Sequence, residues 1–204
     1  MFLSPARQAM DHDCDIYLRL SAAELPAAGG LEAAIREAAP AALLVTSPEK
    51  AGGDFPAFVE AIKRQNLAIL IEQDWSLARE LDLDGVHIQA DVGALAEARR
   101  ALGASKSIGV SCGLSRHEAM VLAEAGADYL AFGETGQPDL DACVDMLGWW
   151  SELFEVPCVA WLRKGEGLDV AEELVRAGAD FLAVDYPGSG VSGMIARASA
   201  DDND

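Results

Sequence analysis

The chain has 204 residues, of which 51% are hydrophobic and 24% charged, and its formal net charge is −19. That length gives one domain a substantial core and is short for two. The hydrophobic content excludes intrinsic disorder, and the acidic balance excludes nucleic acid and anionic membrane as partners, because both need a basic face.

Met1 to Asp15 carry a single Arg and no apolar core segment, so no secretory signal is expected and the predicted location is cytoplasmic. Residues from about 1 to 14 read as a short N-terminal extension. From there on, short apolar runs alternate with amphipathic segments. The predicted strands are Asp15–Leu20, Ala42–Thr46, Ala68–Ile71, Gly85–Ile88, Ser107–Ser111, Tyr129–Phe132, Cys158–Trp161 and Phe181–Val184. None approaches the roughly 18–20 apolar residues that cross a bilayer. The predicted helices are Leu31–Ala39, Phe55–Gln65, Trp75–Leu81, Gly93–Leu102, Ser115–Ala125, Leu140–Phe154, Asp169–Ala177 and Val191–Ala200, with a frayed acidic tail at about 201–204.

Three segments look alike: Glu80–Ile88, Glu124–Phe132 and Arg176–Val184. Each reads as the end of a helix, a tight turn and a buried parallel strand, with Asp84, Asp128 and Asp180 at one shared turn position. A carboxylate there accepts backbone N–H bonds, so these three are structural and lie at the N-terminal face of the sheet. Alternating strands and helices specify a closed barrel or a doubly wound sheet. No GxGxxG follows the first strand, which weakens the dinucleotide-binding reading, and the repeat favours closure. The expected fold is therefore α/β, a single (β/α)8 TIM barrel over residues 1–204.

Four cysteines (Cys14, Cys112, Cys143 and Cys158) lack metal-like spacing and read as buried, reduced thiols. Cys112, at a strand end, has no placed base, and His87 inside a strand reads as a hydrogen-bonded core residue. Trp149-Trp150 fits core packing or a subunit contact, and homo-oligomerisation stays open.

In a barrel of this kind function is built from the segments after the strands. Gly85-Val-His-Ile88, Ile108-Gly-Val-Ser111, Ala125-Gly-Ala-Asp-Tyr129 with Phe132-Gly133, and Ala177-Gly-Ala-Asp-Phe181 resemble the thiamine-phosphate synthases and related thiazole tautomerases, both (β/α) barrels. The likeness runs from about Tyr17 to Gly190. A synthase of this family joins a pyrimidine pyrophosphate to a thiazole phosphate and releases pyrophosphate. The resemblance implies Mg2+ between substrate oxygens and two carboxylates, with basic and hydroxyl groups holding the pyrophosphate.

The matching positions are partly changed. The family's Arg-x-Lys after the second strand meets Pro48-Glu-Lys50, so only Lys50 is retained. The Asn-Asp pair after the third strand meets Glu72-Gln73, with Asp74 one step on. Gln89-Ala-Asp91 offers Asp91 where the family carries Gly-Gln-x-Asp, and Ser111 matches the family serine after the fifth strand. Glu134-Thr-Gly-Gln-Pro-Asp139 replaces the Thr-x-Thr-Lys pyrophosphate loop, and Leu162-Arg163-Lys164-Gly165 replaces a Gly-Gly pair.

Asp91 and Asp74 are thus candidate metal ligands, and each also sits where a helix-capping carboxylate belongs. Ser111 and Glu134 are the candidate catalytic residues. Glu134 falls where the tautomerases carry an acid/base histidine. Lys50, Arg163 and Lys164 are candidate phosphate-binding cations. Gly188, Ser189 and Gly190, in the loop after the last strand, let backbone N–H groups approach an anion. Asp185 just before them repels a phosphate unless it is neutralised. The expected function is that of a divergent synthase-like transferase of weak or lost activity, acting on a small phosphorylated metabolite. A non-catalytic phosphate-binding or regulatory barrel, and tautomerase-like proton transfer at Glu134, are the alternatives.

Overall fold

The computed structural model describes residues 14–25, 28–65, 67–133, 139–163 and 165–186. Eight parallel strands close into one barrel in chain order: β1 (Asp15–Ser21), β2 (Ala42–Thr46), β3 (Ala68–Glu72), β4 (Gly85–Gln89), β5 (Ser107–Cys112), β6 (Tyr129–Phe132), β7 (Cys158–Trp161) and β8 (Phe181–Asp185). Closure runs through β1 and β8, where Asp15 pairs with Phe181 and Arg19 with Asp185. Seven α-helices among the described residues cover the outside: α1 (Ala28–Ala38), α2 (Phe55–Lys63), α3 (Trp75–Glu80), α4 (Val92–Leu102), α5 (Arg116–Glu124), α6 (Leu140–Leu153) and α7 (Leu168–Arg176). The chain is the predicted (β/α)8 barrel. Two 3-10 turns, Ala22–Glu24 and Pro48–Lys50, fall in loops where the sequence predicts no element. The predicted helix Val191–Ala200, the tail, and the extension before Cys14 lie outside the described residues. No helix among those described is long and apolar enough to cross a membrane.

The strands bury both faces, and the period-two alternation sorts their side chains into two cores. Leu18, Leu43, Val45, Ile69, Ile71, Val86 and Ile88 pack outward against the helices. Tyr17, Leu44, Leu70, Tyr129, Ala131, Val159, Trp161 and Ala183 form a second cluster inside the barrel. Gly109 makes room for it: a Cβ there would lie 1.8 Å from Cζ of Tyr129, so the Tyr129 ring crosses the barrel only because β5 carries glycine at that point.

The three-fold repeat does what its acidic turn predicts. The N–H of Ile69 donates to Asp84 Oδ2 at 2.8 Å, that of Ile108 to Asp128 Oδ2 at 2.6 Å, and that of Cys158 to Asp180 Oδ2 at 2.7 Å. In return each aspartate N–H donates to the carbonyl of the same partner. Every repeat aspartate thereby ties the start of its strand to the start of the preceding one. Two residues earlier the backbone is left-handed, with φ of 98° at Gly126 and 99° at Gly178. The first repeat places Asp82 there at φ 48°, a residue type that tolerates this region.

All four cysteines are buried thiols outside any disulfide. Trp150 is fully buried, donates Nε1 to the Val156 carbonyl at 2.7 Å and stacks on Phe154, so core packing accounts for it.

Candidate active site

Within the mouth at the C-terminal ends of the strands, Ser111 is the best-defined of the predicted residues. It ends the inward face of β5 and is only 3% exposed. Its Oγ lies 3.1 Å from His87 Nε2, and His87 Nδ1 lies 2.9 Å from the Tyr129 hydroxyl. The Tyr129 hydroxyl in turn lies 2.7 Å from that of Tyr17. A buried polar group must be hydrogen-bonded, and this linked set satisfies its members deep in an otherwise apolar interior. His87 is thus a packed core histidine, as predicted, and its ring fixes where the Ser111 hydroxyl can sit.

The mouth carboxylates are engaged by their own backbone. Asp74 caps α3, accepting from the Leu77 N–H at 2.8 Å, and Asp91 caps α4, accepting from the Ala94 N–H at 2.8 Å. Of the two readings open from sequence, capping is realised, and it uses Oδ1 of each. Glu72 Oε2 accepts from the Ser47 N–H at 3.1 Å. Ser47 and Gln73 both hold left-handed backbone, φ 52° and 60°, without being glycine. Such strain persists only where neighbours over-determine the conformation. The Glu72 bond, and a bond from the Gln73 N–H to the His87 carbonyl at 2.8 Å, supply that constraint. No group of three or more His, Cys, Asp or Glu side chains among the described residues is placed to hold a metal. Mg2+ commonly takes one or two carboxylates and completes its shell with substrate oxygens and water. Asp74 and Asp91 each keep a second carboxylate oxygen outside the capping bond.

Arg163, predicted as a phosphate cation, is bound to its own loop: Nε donates to Glu166 Oε1 at 2.6 Å, and the Arg163 N–H to Glu166 Oε2 at 2.7 Å. Lys50 ends the exposed turn after β2. Glu134, Lys164, Gly188, Ser189 and Gly190 lie outside the described residues.

Sequence reasoning passed over Arg19 and Trp161. Arg19 is two residues past Tyr17 in β1, hence on the same inward face. Its Nε donates to Asp185 Oδ1 at 2.6 Å, and its guanidinium lies 4.9 Å from the centre of the Trp161 ring. Asp185 is therefore neutralised by Arg19. The signal was a charge at an inward position of each of two neighbouring strands.

The Cys112 thiol is held in its protonated, weakly nucleophilic form. Burial, and then the nearby Glu118 carboxylate, push its thiol up to about 12. A cavity of about 250 Å³ lies at the opposite end of the barrel, lined by Tyr17, Ala42, Ala68, Leu70, Tyr129 and Phe181 among others. It is mostly apolar and lies at the end of the barrel away from the loops that carry chemistry in this architecture, so the mouth remains the candidate site.

A family profile described as thiamine monophosphate synthase matches residues 53–185. The thiamine-phosphate synthase of Erythrobacter litoralis is 44% identical over 130 residues, covering 58% of this chain and 58% of that protein. That of Rhodospirillum centenum is 43% identical over 128 residues, covering 60% and 61%. The matched region thus spans about three-fifths of the length of these curated relatives. Among solved structures, thiamine phosphate pyrophosphorylase from Pyrococcus furiosus superposes with a TM-score of 0.71 at 18% identity, over 95% of this chain and 98% of that one. At that identity the likeness bears on the fold alone.

Proposed function

The chain belongs to the thiamine monophosphate synthase family, and from that premise we propose that its mouth binds small phosphorylated metabolites and couples a pyrimidine pyrophosphate to a thiazole phosphate, releasing pyrophosphate, at a rate well below that of an intact synthase. The observation that carries the reading is the family match over residues 53–185 together with Ser111, retained at the end of β5 and held by His87. Ser111 offers a hydroxyl to a substrate oxygen from a fixed position. Lys50 adds positive charge after β2. Gly188, Ser189 and Gly190 would present backbone N–H groups to a phosphate. Mg2+, held by Asp91 and Asp74 and by substrate oxygens, would neutralise the departing pyrophosphate.

The expected weakness follows from the missing Thr-x-Thr-Lys loop and the incomplete basic pair. Removing one electrostatic stabiliser typically costs on the order of 10²–10³ in rate. Incubating the purified protein with both thiamine precursors and Mg2+ tests this. Turnover equal to that of an intact synthase would refute the weakness, and no turnover at all would refute the coupling reaction.

A second reading, a non-catalytic phosphate-binding barrel, is favoured by the engagement of Asp74, Asp91, Glu72 and Arg163 inside the chain itself. It expects phosphate esters to raise the melting temperature without being consumed. No shift with any of a panel of phosphorylated metabolites counts against it.

A further inference from the structure

We propose that Arg19, oriented by Asp185 and backed by Trp161, is the residue that receives a phosphate group of the substrate at the barrel mouth. The inference rests on the reading of the mouth as a site for phosphorylated substrates and supplies a cation that the family resemblance does not.

Three observations converge on it. Arg19 is inward-facing near the C-terminal end of β1, its side chain 29% exposed, so it borders both the interior and the mouth. Its Nε is taken by Asp185, which sets the plane of the guanidinium, while the ring of Trp161 lies 4.9 Å away. Among the described residues Nη1 and Nη2 have no hydrogen-bond partner. A guanidinium held in this way presents a rigid fork of donors, which matches two oxygens of one phosphate. Beside it, Trp161 is 7% exposed and its buried Nε1 has no partner among the described residues. An indole N–H can only donate, and a buried donor left unpaired is costly, so the group that satisfies it must be an acceptor. Donors without acceptors at the functional end of a (β/α) barrel describe a receptor for an oxyanion. Arg163 does not compete for this role, because Glu166 engages it through its Nε and through its backbone N–H.

Asp185 is a positioning residue here. It turns the fork and cancels one charge, so the site selects a single phosphate group by directed donors rather than by surplus positive charge.

The test uses the full chain labelled with 15N and inorganic phosphate as the probe. The indole N–H signal of Trp161, assigned by its loss in Trp161→Phe, is expected to move saturably as phosphate is added. Arg19→Lys keeps the charge and the pairing with Asp185 but loses the fork. It is expected to weaken phosphate binding by about tenfold or more, the scale of a lost charge-assisted hydrogen bond. Should that variant melt more than about 5 °C below the parent, the charge-neutral pair Arg19→Gln with Asp185→Asn carries the comparison. A Trp161 signal that phosphate leaves in place, or equal affinity in parent and variant, overturns the proposal and leaves Nε1 to a bound water. Turnover of the two thiamine precursors is followed separately. Turnover with a still Trp161 signal removes Arg19 and spares the synthase reading, and saturable binding at Trp161 without turnover does the reverse.

Discussion

Replacing Asp84 by alanine isolates one of the bonds that tie neighbouring strands together. In the folded chain the Asp84 carboxylate accepts the N–H of Ile69 at 2.8 Å, and Ile69 is 1% exposed. The alanine variant removes that charge-assisted bond and strands a buried donor, which costs about 1.5–3 kcal/mol. In a chain of 204 residues that corresponds to a melting temperature about 3–12 °C lower, at roughly 2–4 °C per kcal/mol. Asp128→Ala should cost more. Asp128 accepts the N–H of Ile108 and also binds Arg99 at 2.5 Å, in a pair whose side chains are 29% and 36% exposed. A pair that open to solvent adds at most about 1 kcal/mol. Asparagine at either position keeps an amide oxygen for the backbone donor, so its loss should be about half that of alanine. Urea denaturation with a common m-value gives the three differences directly. The reasoning fails if Asp84→Ala lies within about 0.5 kcal/mol of the parent, the range of an ordinary surface change, or if Asp84→Asn is as damaging as alanine.

Gly109→Ala sets a methyl 1.8 Å from the Tyr129 ring, and the repacking it forces should destabilise the barrel by about 1–3 kcal/mol or more; a melting curve that matches the parent refutes the close approach. Cys112, its thiol pushed up to about 12, should stay protonated and resist iodoacetamide at about pH 8, where an unfolded thiol begins to ionise; alkylation in the native state as fast as in denaturant counters this. The sign for stability follows: the native state keeps a proton that the unfolded chain sheds above about pH 8.5, so this contribution is whole below that point and declines as pH rises. Pyrophosphate binding should strengthen with Mg2+, and Asp91→Asn should abolish the gain; equal calorimetric affinities with and without the metal would leave Asp91 as a cap only.

The barrel was legible because its signals are local and repeated. Apolar runs such as Ala42–Thr46 and Cys158–Trp161 match their strands to the residue. The repeat aspartates announce their turns because a carboxylate before a buried strand has few partners other than backbone N–H groups. The mouth was harder to read. Asp91 satisfies the sequence pattern of a cap and of a metal ligand alike, Asp74 leans toward a cap, and only geometry shows that both do cap their helices. Arg19 was overlooked because a lone arginine in an apolar strand acquires meaning from Asp185, which lies 166 residues away in sequence. The hydrogen-bonded set of Tyr17, Tyr129, His87 and Ser111 draws on four different strands, so no spacing within a single segment could disclose it.

The two ends of the barrel thus use the same chemistry for opposite purposes. At the N-terminal end the repeat carboxylates lock backbone donors and hold neighbouring strands together. At the mouth Asp74, Asp91 and Glu72 also accept backbone N–H bonds, which fix these carboxylates without removing their charge, and Asp185 is paired with Arg19. A rim of free carboxylates would repel pyrophosphate and make a divalent cation obligatory for any binding. With Asp185 paired and the fork of Arg19 open, an anion meets donors before a metal arrives, and the metal then offsets the charge that Asp74, Asp91 and Glu72 keep. Phosphate binding that persists without Mg2+ but disappears with Arg19, and Mg2+ enhancement that disappears with Asp91, would be the joint signature of that division.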